Sequence, residues 1–107
     1  MKKSINELGF DNWVIYNLKT DEKLLNSYMQ DVLESFKEHN NIEILLSGLK
    51  HIAKAKGWTY LEKQTGITRQ SLYGILSKDG NPRIKNFITI LKSLGCGLEI
   101  KLLHSQS

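Results

Sequence analysis

Residues 58–76 of the chain, WTYLEKQTGITRQSLYGIL, decide the fold that we predict. Leu61 is the inward residue of a first short helix in this stretch. A second helix carries three apolar residues at helical spacing: Leu72, Ile75 and Leu76. Between the two helices lies Thr65-Gly66-Ile67, where glycine permits the positive φ of a sharp turn without steric cost. The sequence therefore predicts two short helices joined by a tight turn.

The start of the second short helix carries polar side chains suited to recognition. Thr68 precedes the helix and predicts an N-cap, because its hydroxyl accepts a hydrogen bond from an open backbone N–H group. Arg69 and Gln70 follow it, and both side chains are able to reach base edges or phosphates. Such a pattern is typical of a helix-turn-helix, so the leading hypothesis is a DNA-binding regulator.

Charge is distributed unevenly along the 107 residues. Residues 1–47 hold five lysines against eight acidic residues, a net charge of −3, whereas residues 48–107 hold ten Lys and Arg against three acidic residues, a net charge of +7. The basic half contains the proposed helix-turn-helix. Because a basic module gains affinity for duplex DNA through counterion release, this distribution favours DNA binding over lysines that only keep the protein in solution.

The sequence contains no pattern that indicates catalysis, a metal site or a cofactor. The three histidines, His39, His51 and His104, lack metal-ligand spacing with one another or with the single cysteine, Cys96. We therefore expect a protein that is not an enzyme. No signal-peptide pattern follows Met1, and no apolar run approaches the length of a membrane span, so we expect a cytoplasmic protein.

The rest of the chain predicts a mainly α fold, a five-helix lambda-repressor-like helix-turn-helix domain over residues 21–107. Two amphipathic helices precede the motif, one capped by Thr20 and ending near residues 38–40, and one from residue 41 to the C-cap Gly57. A fifth helix begins near Ile84. Residues 1–20 are rich in aromatic and β-branched residues, which predicts an extended segment that either packs on its own domain or lies as an arm on a partner.

The C-terminal end has the spacing of a strand. Leu98, Ile100 and Leu102 alternate with Glu99 and Lys101. Because a lone strand is unstable in water, this strand requires either the N-terminal segment or the same strand of a second subunit. The unpartnered strand predicts a homodimer.

Residues 45–103 resemble bacterial addiction-module antidote proteins, HigA-like antitoxins of the Xre helix-turn-helix class. The residues that carry the resemblance are 49–57, Leu61, 64–73, 80–83 and the Leu94-Gly95 pair before the final strand. The resemblance implies a dimeric antitoxin that neutralises a small basic ribonuclease toxin of the RelE/ParE type and represses its own operon. The acidic first half of the chain is suited to docking such a basic toxin.

The resemblance also implies the residues that contact operator DNA. Four of them would face the major groove: Thr68, Arg69, Gln70 and Tyr73. Independently of the resemblance, six polar residues at the start of the first motif helix and after the second are candidates for phosphate contact: Thr59, Tyr60, Lys78, Asn81, Arg83 and Lys85.

One position departs from the family pattern. Glu62 stands where such motifs usually have alanine, and a carboxylate buried there requires a partner. We expect either that the two helices are spread or that Glu62 tilts outward towards a lysine. Two other functions stay open beside the antitoxin. One is a phage-type or Xre-family repressor without a toxin partner, and the other, which Glu62 keeps open, is a protein-interaction module that has lost DNA binding.

Overall fold

The computed structural model describes residues 9–77 and 81–103, and within them the chain forms six α-helices and no strand. In chain order the helices are α1 (Phe10–Thr20), α2 (Glu22–His39), α3 (Ile42–Lys56), α4 (Trp58–Thr65), α5 (Arg69–Ile75) and α6 (Ile84–Ser93). The fold is mainly helical, as expected. The prediction of five helices with a C-terminal strand and an extended N-terminal segment is wrong.

The N-terminal segment is the helix α1, although its aromatic and β-branched residues predicted extended backbone. Asp11 in its first turn and Lys19 in its last turn complement the helix dipole. Leu18 is only 3% exposed, and α1 packs on α3 and α2. Burial of this face outweighs local propensity, which is a weak determinant beside tertiary packing. Residues 1–8 of the predicted segment lie outside the described residues, and the division of the chain at residue 20 stays a prediction.

Residues 98–102 form no strand, although their apolar and charged side chains alternate. Ile100 and Leu102 are 92% and 97% exposed. A strand needs a neighbour that supplies ladder hydrogen bonds, and the N-terminal segment that was expected to supply them is helical. The apolar and charged side chains of residues 98–102 therefore alternate along the chain without one face being buried.

The hydrophobic core is centred on α3. This helix contributes five of the buried side chains: Leu45, Leu46, Leu49, Ile52 and Ala53. The other helices bury Val32 of α2, Leu61 of α4, Leu72 and Leu76 at α5, and Ile90, Leu91 and Leu94 at α6. The amphipathic pattern predicted for these helices is thus confirmed over most of their length. Three apolar residues, Leu24, Ile42 and Ile84, are exposed because they lie in first turns at the edge of the core.

The ends of α2 show how local chemistry sets the helix boundaries. Asp21, rather than the expected Thr20, caps α2 by accepting a hydrogen bond of 3.1 Å from the Leu24 N–H. Thr20 instead ends α1, where its hydroxyl donates to the Tyr16 carbonyl at 3.0 Å. At the other end Asn40 adopts left-handed backbone with φ of 53°. The predicted end near residues 38–40 is confirmed.

Candidate nucleic-acid interface

The turn between α4 and α5 is held by its own side chains. Gly66 has φ of 74°, and its N–H donates to the Glu62 carbonyl at 2.9 Å, which ends α4. The Thr65 hydroxyl donates to the Leu61 carbonyl at 2.7 Å and accepts from the Ile67 N–H at 3.1 Å. These bonds fix the direction in which α5 leaves the turn.

Two side chains cap the start of α5. The predicted cap is confirmed, since the Thr68 hydroxyl accepts a hydrogen bond of 3.2 Å from the Ser71 N–H. The Glu62 carboxylate accepts a second one from the backbone N–H of Arg69. Glu62 is half-buried, and its negative charge lies at the positive end of a helix dipole. The carboxylate at the usual alanine position therefore contacts a helix terminus and not a lysine, which was one of the two expected arrangements.

The first residues of α5 face solvent while its inner face is buried. Arg69 and Gln70 are exposed, whereas Leu72 is fully buried in the core. The Arg69 guanidinium donates a hydrogen bond of 2.9 Å to the Thr59 hydroxyl, which joins α5 to the start of α4. The structure thus brings Thr59, Thr68, Arg69 and Gln70 to one exposed end of the α4–α5 pair.

Tyr73 lies one turn further along α5 and contacts lysines of α3. The Lys50 ammonium is 4.0 Å from the centroid of the Tyr73 ring, and the Lys54 ammonium is 5.7 Å from it. On another side the Trp58 ring centroid is 5.8 Å away. A hydrogen bond and the positive charge from Lys50, with the charge of Lys54, lower the pKa of the Tyr73 hydroxyl. Sequence reasoning did not include Lys50 and Lys54 in the site; their i, i+4 spacing near the end of α3 was the available signal.

The remaining candidate DNA-contact residues differ in how close they lie to α5. Asn81 and Arg83 line a shallow cleft together with Ser71 and Gly74 of α5, so the loop before α6 lies beside the same helix. Tyr60 and Lys85 are exposed, and among the described residues neither forms a hydrogen bond to another candidate. The predicted contact residue Lys78 lies outside the described residues.

Comparison with known proteins identifies the family. A family model described as "Probable addiction module antidote protein" matches residues 10–102. The chain belongs to this family. The match begins at α1, so it includes the first two helices as well as the region from residue 45 that carried the resemblance.

A relative of this antidote-family chain is found in Haemophilus influenzae (strain ATCC 51907 / DSM 11121 / KW20 / Rd). It is an uncharacterized protein that is 30% identical over 82 residues, which cover 77% of this chain and 80% of the relative. No solved structure matches the chain.

A second polar cluster joins the first three helices of the antidote-family chain. The Tyr28 hydroxyl lies 2.8 Å from His51 Nδ1, and His51 Nε2 lies 3.3 Å from a carboxylate oxygen of Asp11. Burial, together with the Asp11 charge, raises the pKa of the Tyr28 hydroxyl. Because the three residues lie on α2, α3 and α1, this cluster fastens α1 to the rest of the bundle.

The described part of the chain holds neither a metal-ligand cluster nor a membrane-spanning helix. Residues 9–77 and 81–103 contain no group of three or more His, Cys, Asp or Glu side chains arranged to hold a metal ion. Burial raises the pKa of the Cys96 thiol, whose Sγ lies 3.4 Å from Met29 Sδ. None of the helices in these ranges is long and apolar enough to cross a membrane.

Proposed function

We propose that this chain is the antitoxin of a type II toxin–antitoxin module, a HigA-like protein of the Xre helix-turn-helix class in the cytoplasm. It binds the operator of its own operon through α4 and α5 and neutralises a toxin protein, and it acts by binding rather than by catalysis. One observation carries the DNA-binding part. The start of α5, with Arg69 and Gln70, is exposed while the same helix is anchored in the core by fully buried Leu72. Membership of the antidote family supports the antitoxin part.

The proposed reading of DNA follows from the chemistry of α5. A helix whose N-terminal residues enter the major groove brings its first side chains to base edges. Arg69 pairs bidentately with O6 and N7 of guanine, and Gln70 pairs with N6 and N7 of adenine. Each such pair contributes about 1–3 kcal/mol of discrimination between bases. On binding, the Arg69 guanidinium exchanges its bond to Thr59 for one to guanine.

The basic residues around α5 are suited to the DNA backbone. Lys50 and Lys54 flank Tyr73 on one side of α5, and Arg83 lies in the cleft on another side. Cations on both sides of a recognition helix allow contact with the phosphates that border the major groove. The affinity of this interface should therefore fall steeply as the salt concentration rises.

The proposed toxin surface lies on the first two helices. Residues 9–39 carry six acidic residues against three lysines, and nearly all of the acidic side chains are exposed. A small basic toxin of the RelE/ParE type complements this charge. Because the acidic surface and the α5 interface lie on different helices, the protein is able to bind a toxin and DNA through separate residues.

We further propose that the chain acts as a homodimer. The C-terminal residues Ile100, Leu102 and Leu103 are 92%, 97% and 76% exposed, and a second copy would remove this apolar surface from water. A two-fold dimer also matches the palindromic half-sites that helix-turn-helix proteins read. Sedimentation at micromolar concentration should give the mass of a dimer, and a monomeric mass would contradict this proposal.

A gel-shift experiment tests the proposed function. The full chain is mixed with a duplex of the region upstream of its own gene, at low and at moderate salt, and with a scrambled duplex of equal length. We expect specific binding that weakens with salt. Undetectable binding at low salt would leave only the protein-interaction module.

Co-expression separates the antitoxin from a repressor without a toxin partner. We expect the neighbouring gene to encode a small basic protein that co-purifies with this chain and arrests growth when expressed alone. If the operator is bound but the neighbouring gene encodes no such protein, the chain is a repressor without a toxin.

A further inference from the structure

We propose that Glu62 determines part of the base preference of the interface: its carboxylate accepts a hydrogen bond from the amino group of cytosine and keeps phosphate away from the start of α5. The inference rests on the DNA binding of the proposed function. Glu62 occupies a position at which such motifs usually have alanine. One oxygen of its carboxylate accepts a hydrogen bond within the protein, and the other accepts none within the described residues.

The carboxylate of Glu62 is only partly used inside the protein. Its Oε2 accepts the Arg69 N–H, whereas Oε1 accepts no hydrogen bond within the described residues. An ionised carboxylate offers about four lone-pair positions and no donor. Because Glu62 is half-buried at the exposed end of α4 and α5, Oε1 is the acceptor that a ligand at this end would meet.

The same carboxylate excludes phosphate from this end of α5. The Arg69 N–H is bound by Glu62, and the Ser71 N–H is bound by Thr68. Few open backbone donors are therefore left for a phosphate oxygen, and a phosphate that approached them would meet a negative charge. The start of α5 is thus suited to base edges, and the phosphates are left to lysines such as Lys50 and Lys54.

The chemistry of base edges defines the ligand of Glu62. In the major groove only cytosine N4 and adenine N6 present donors, and adenine N6 lies beside the acceptor N7, which repels a carboxylate. Cytosine is therefore the base that a carboxylate reads. Arg69 donates a hydrogen bond to Thr59, which lies one helical turn before Glu62 on α4. In the proposed complex the Arg69 side chain pairs with guanine. Together the two side chains favour a G·C-containing step at this position of the operator.

The test uses the operator found in the gel-shift experiment, with each G·C pair replaced in turn by A·T. We expect that replacing one particular G·C pair lowers the affinity of the wild-type chain about 5- to 150-fold. The Arg69→Ala variant should still discriminate against the replacement at that pair, because Glu62 and not Arg69 contacts its cytosine. Glu62→Gln should lose that preference and should bind unrelated duplex more tightly than the wild-type chain, because the charge that repels phosphate is removed. The glutamine carbonyl keeps an acceptor for the Arg69 N–H, so the variant is expected to fold.

Glu22→Gln is the matched control, since it makes the same change in charge at an exposed residue of α2, away from the α4–α5 interface. It should keep the base preference of the wild-type chain. Unchanged preference at every G·C pair in folded Glu62→Gln, with the operator still bound, would overturn the role of Glu62 and leave the proposed function intact. Failure of the wild-type chain to bind any duplex at low salt would instead overturn the proposed function itself.

Discussion

Gly48 of α3 packs directly against Val32 of α2. A Cβ atom added to Gly48 would lie 2.5 Å from Val32 Cγ2 and 2.8 Å from Val32 Cγ1, closer than such atoms approach in proteins. Glycine inside a helix costs about 1 kcal/mol relative to alanine, so its presence here is explained by the close approach of the two helices. The contact sets the distance between the acidic helix α2 and the central core helix.

Gly48→Ala should therefore destabilise the fold. We expect the free energy of unfolding to fall by about 1–3 kcal/mol, because Val32 and its helix must shift to admit the methyl group. Urea unfolding followed by circular dichroism measures the change. Gly74→Ala in α5 is the control, since nothing lies within 4 Å of the added Cβ, and it should be neutral or slightly stabilising. A Gly48→Ala protein as stable as the wild type would contradict the close contact.

The Tyr28 hydroxyl should contribute stability that disappears in alkali. Its pKa is raised in the folded protein, so the folded state holds the proton more tightly than the unfolded state. The contribution is fully present below the unfolded tyrosine pKa of about 10 and is lost as the pH rises through the folded value. At neutral pH, Tyr28→Phe should lower the free energy of unfolding by about 1 kcal/mol through loss of the bond to His51.

The measurement compares the free energy of unfolding in urea of the wild type and of Tyr28→Phe. The pH is varied from neutral to values at which tyrosine is ionised. The difference between the two proteins should shrink as the pH rises. A constant gap between the wild type and Tyr28→Phe across the range would argue against the raised pKa.

Arg69→Ala should separate the two proposed activities. We expect operator affinity to fall about 5- to 150-fold and base preference to relax, because a bidentate pair with guanine is removed. Binding of the toxin should survive, since the proposed toxin surface lies on α1 and α2. Titration of operator duplex and of purified toxin measures both affinities.

Lys37→Ala is the charge-matched control for Arg69→Ala. Lys37 lies on α2, in an exposed ion pair of 3.6 Å with Glu34, away from the α4–α5 interface. It should leave base preference unchanged. Equal loss of DNA and toxin binding in a folded Arg69→Ala protein would refute the separation of the two surfaces.

Lys50→Gln should raise the pKa of Tyr73 towards the ordinary tyrosine value. Lys50 is the largest cause of the lowered pKa, through its hydrogen bond and its charge beside the phenol. Ultraviolet difference titration of the wild type and the variant follows the tyrosine ionisation. Lys56→Gln, at an exposed residue of the same helix, should leave the Tyr73 titration unchanged. Superimposable titrations of the wild type and Lys50→Gln would show that Lys50 does not contact the phenol.

Residues close together in the chain were predictable from the sequence by itself. The turn at Gly66, the cap at Thr68 and the apolar stripe containing Leu72 each depend on contacts within a few residues. Composition likewise showed the acidic and basic halves, and the residue pattern of the motif pointed to the family that comparison then identified.

Only the tertiary structure decided the features that join distant parts of the chain. The segment that begins at Phe10 is a helix because α3 and α2 bury one of its faces, and local propensity alone predicted the opposite. Glu62 reaches a backbone N–H seven residues away, and Lys50 lies over a ring on another helix. The alternating residues 98–102 form no strand because their pattern specifies a periodicity but supplies no neighbour to bond with. These features depend on contacts between residues that are distant in the sequence, and the packing of the whole chain determines which of those contacts form.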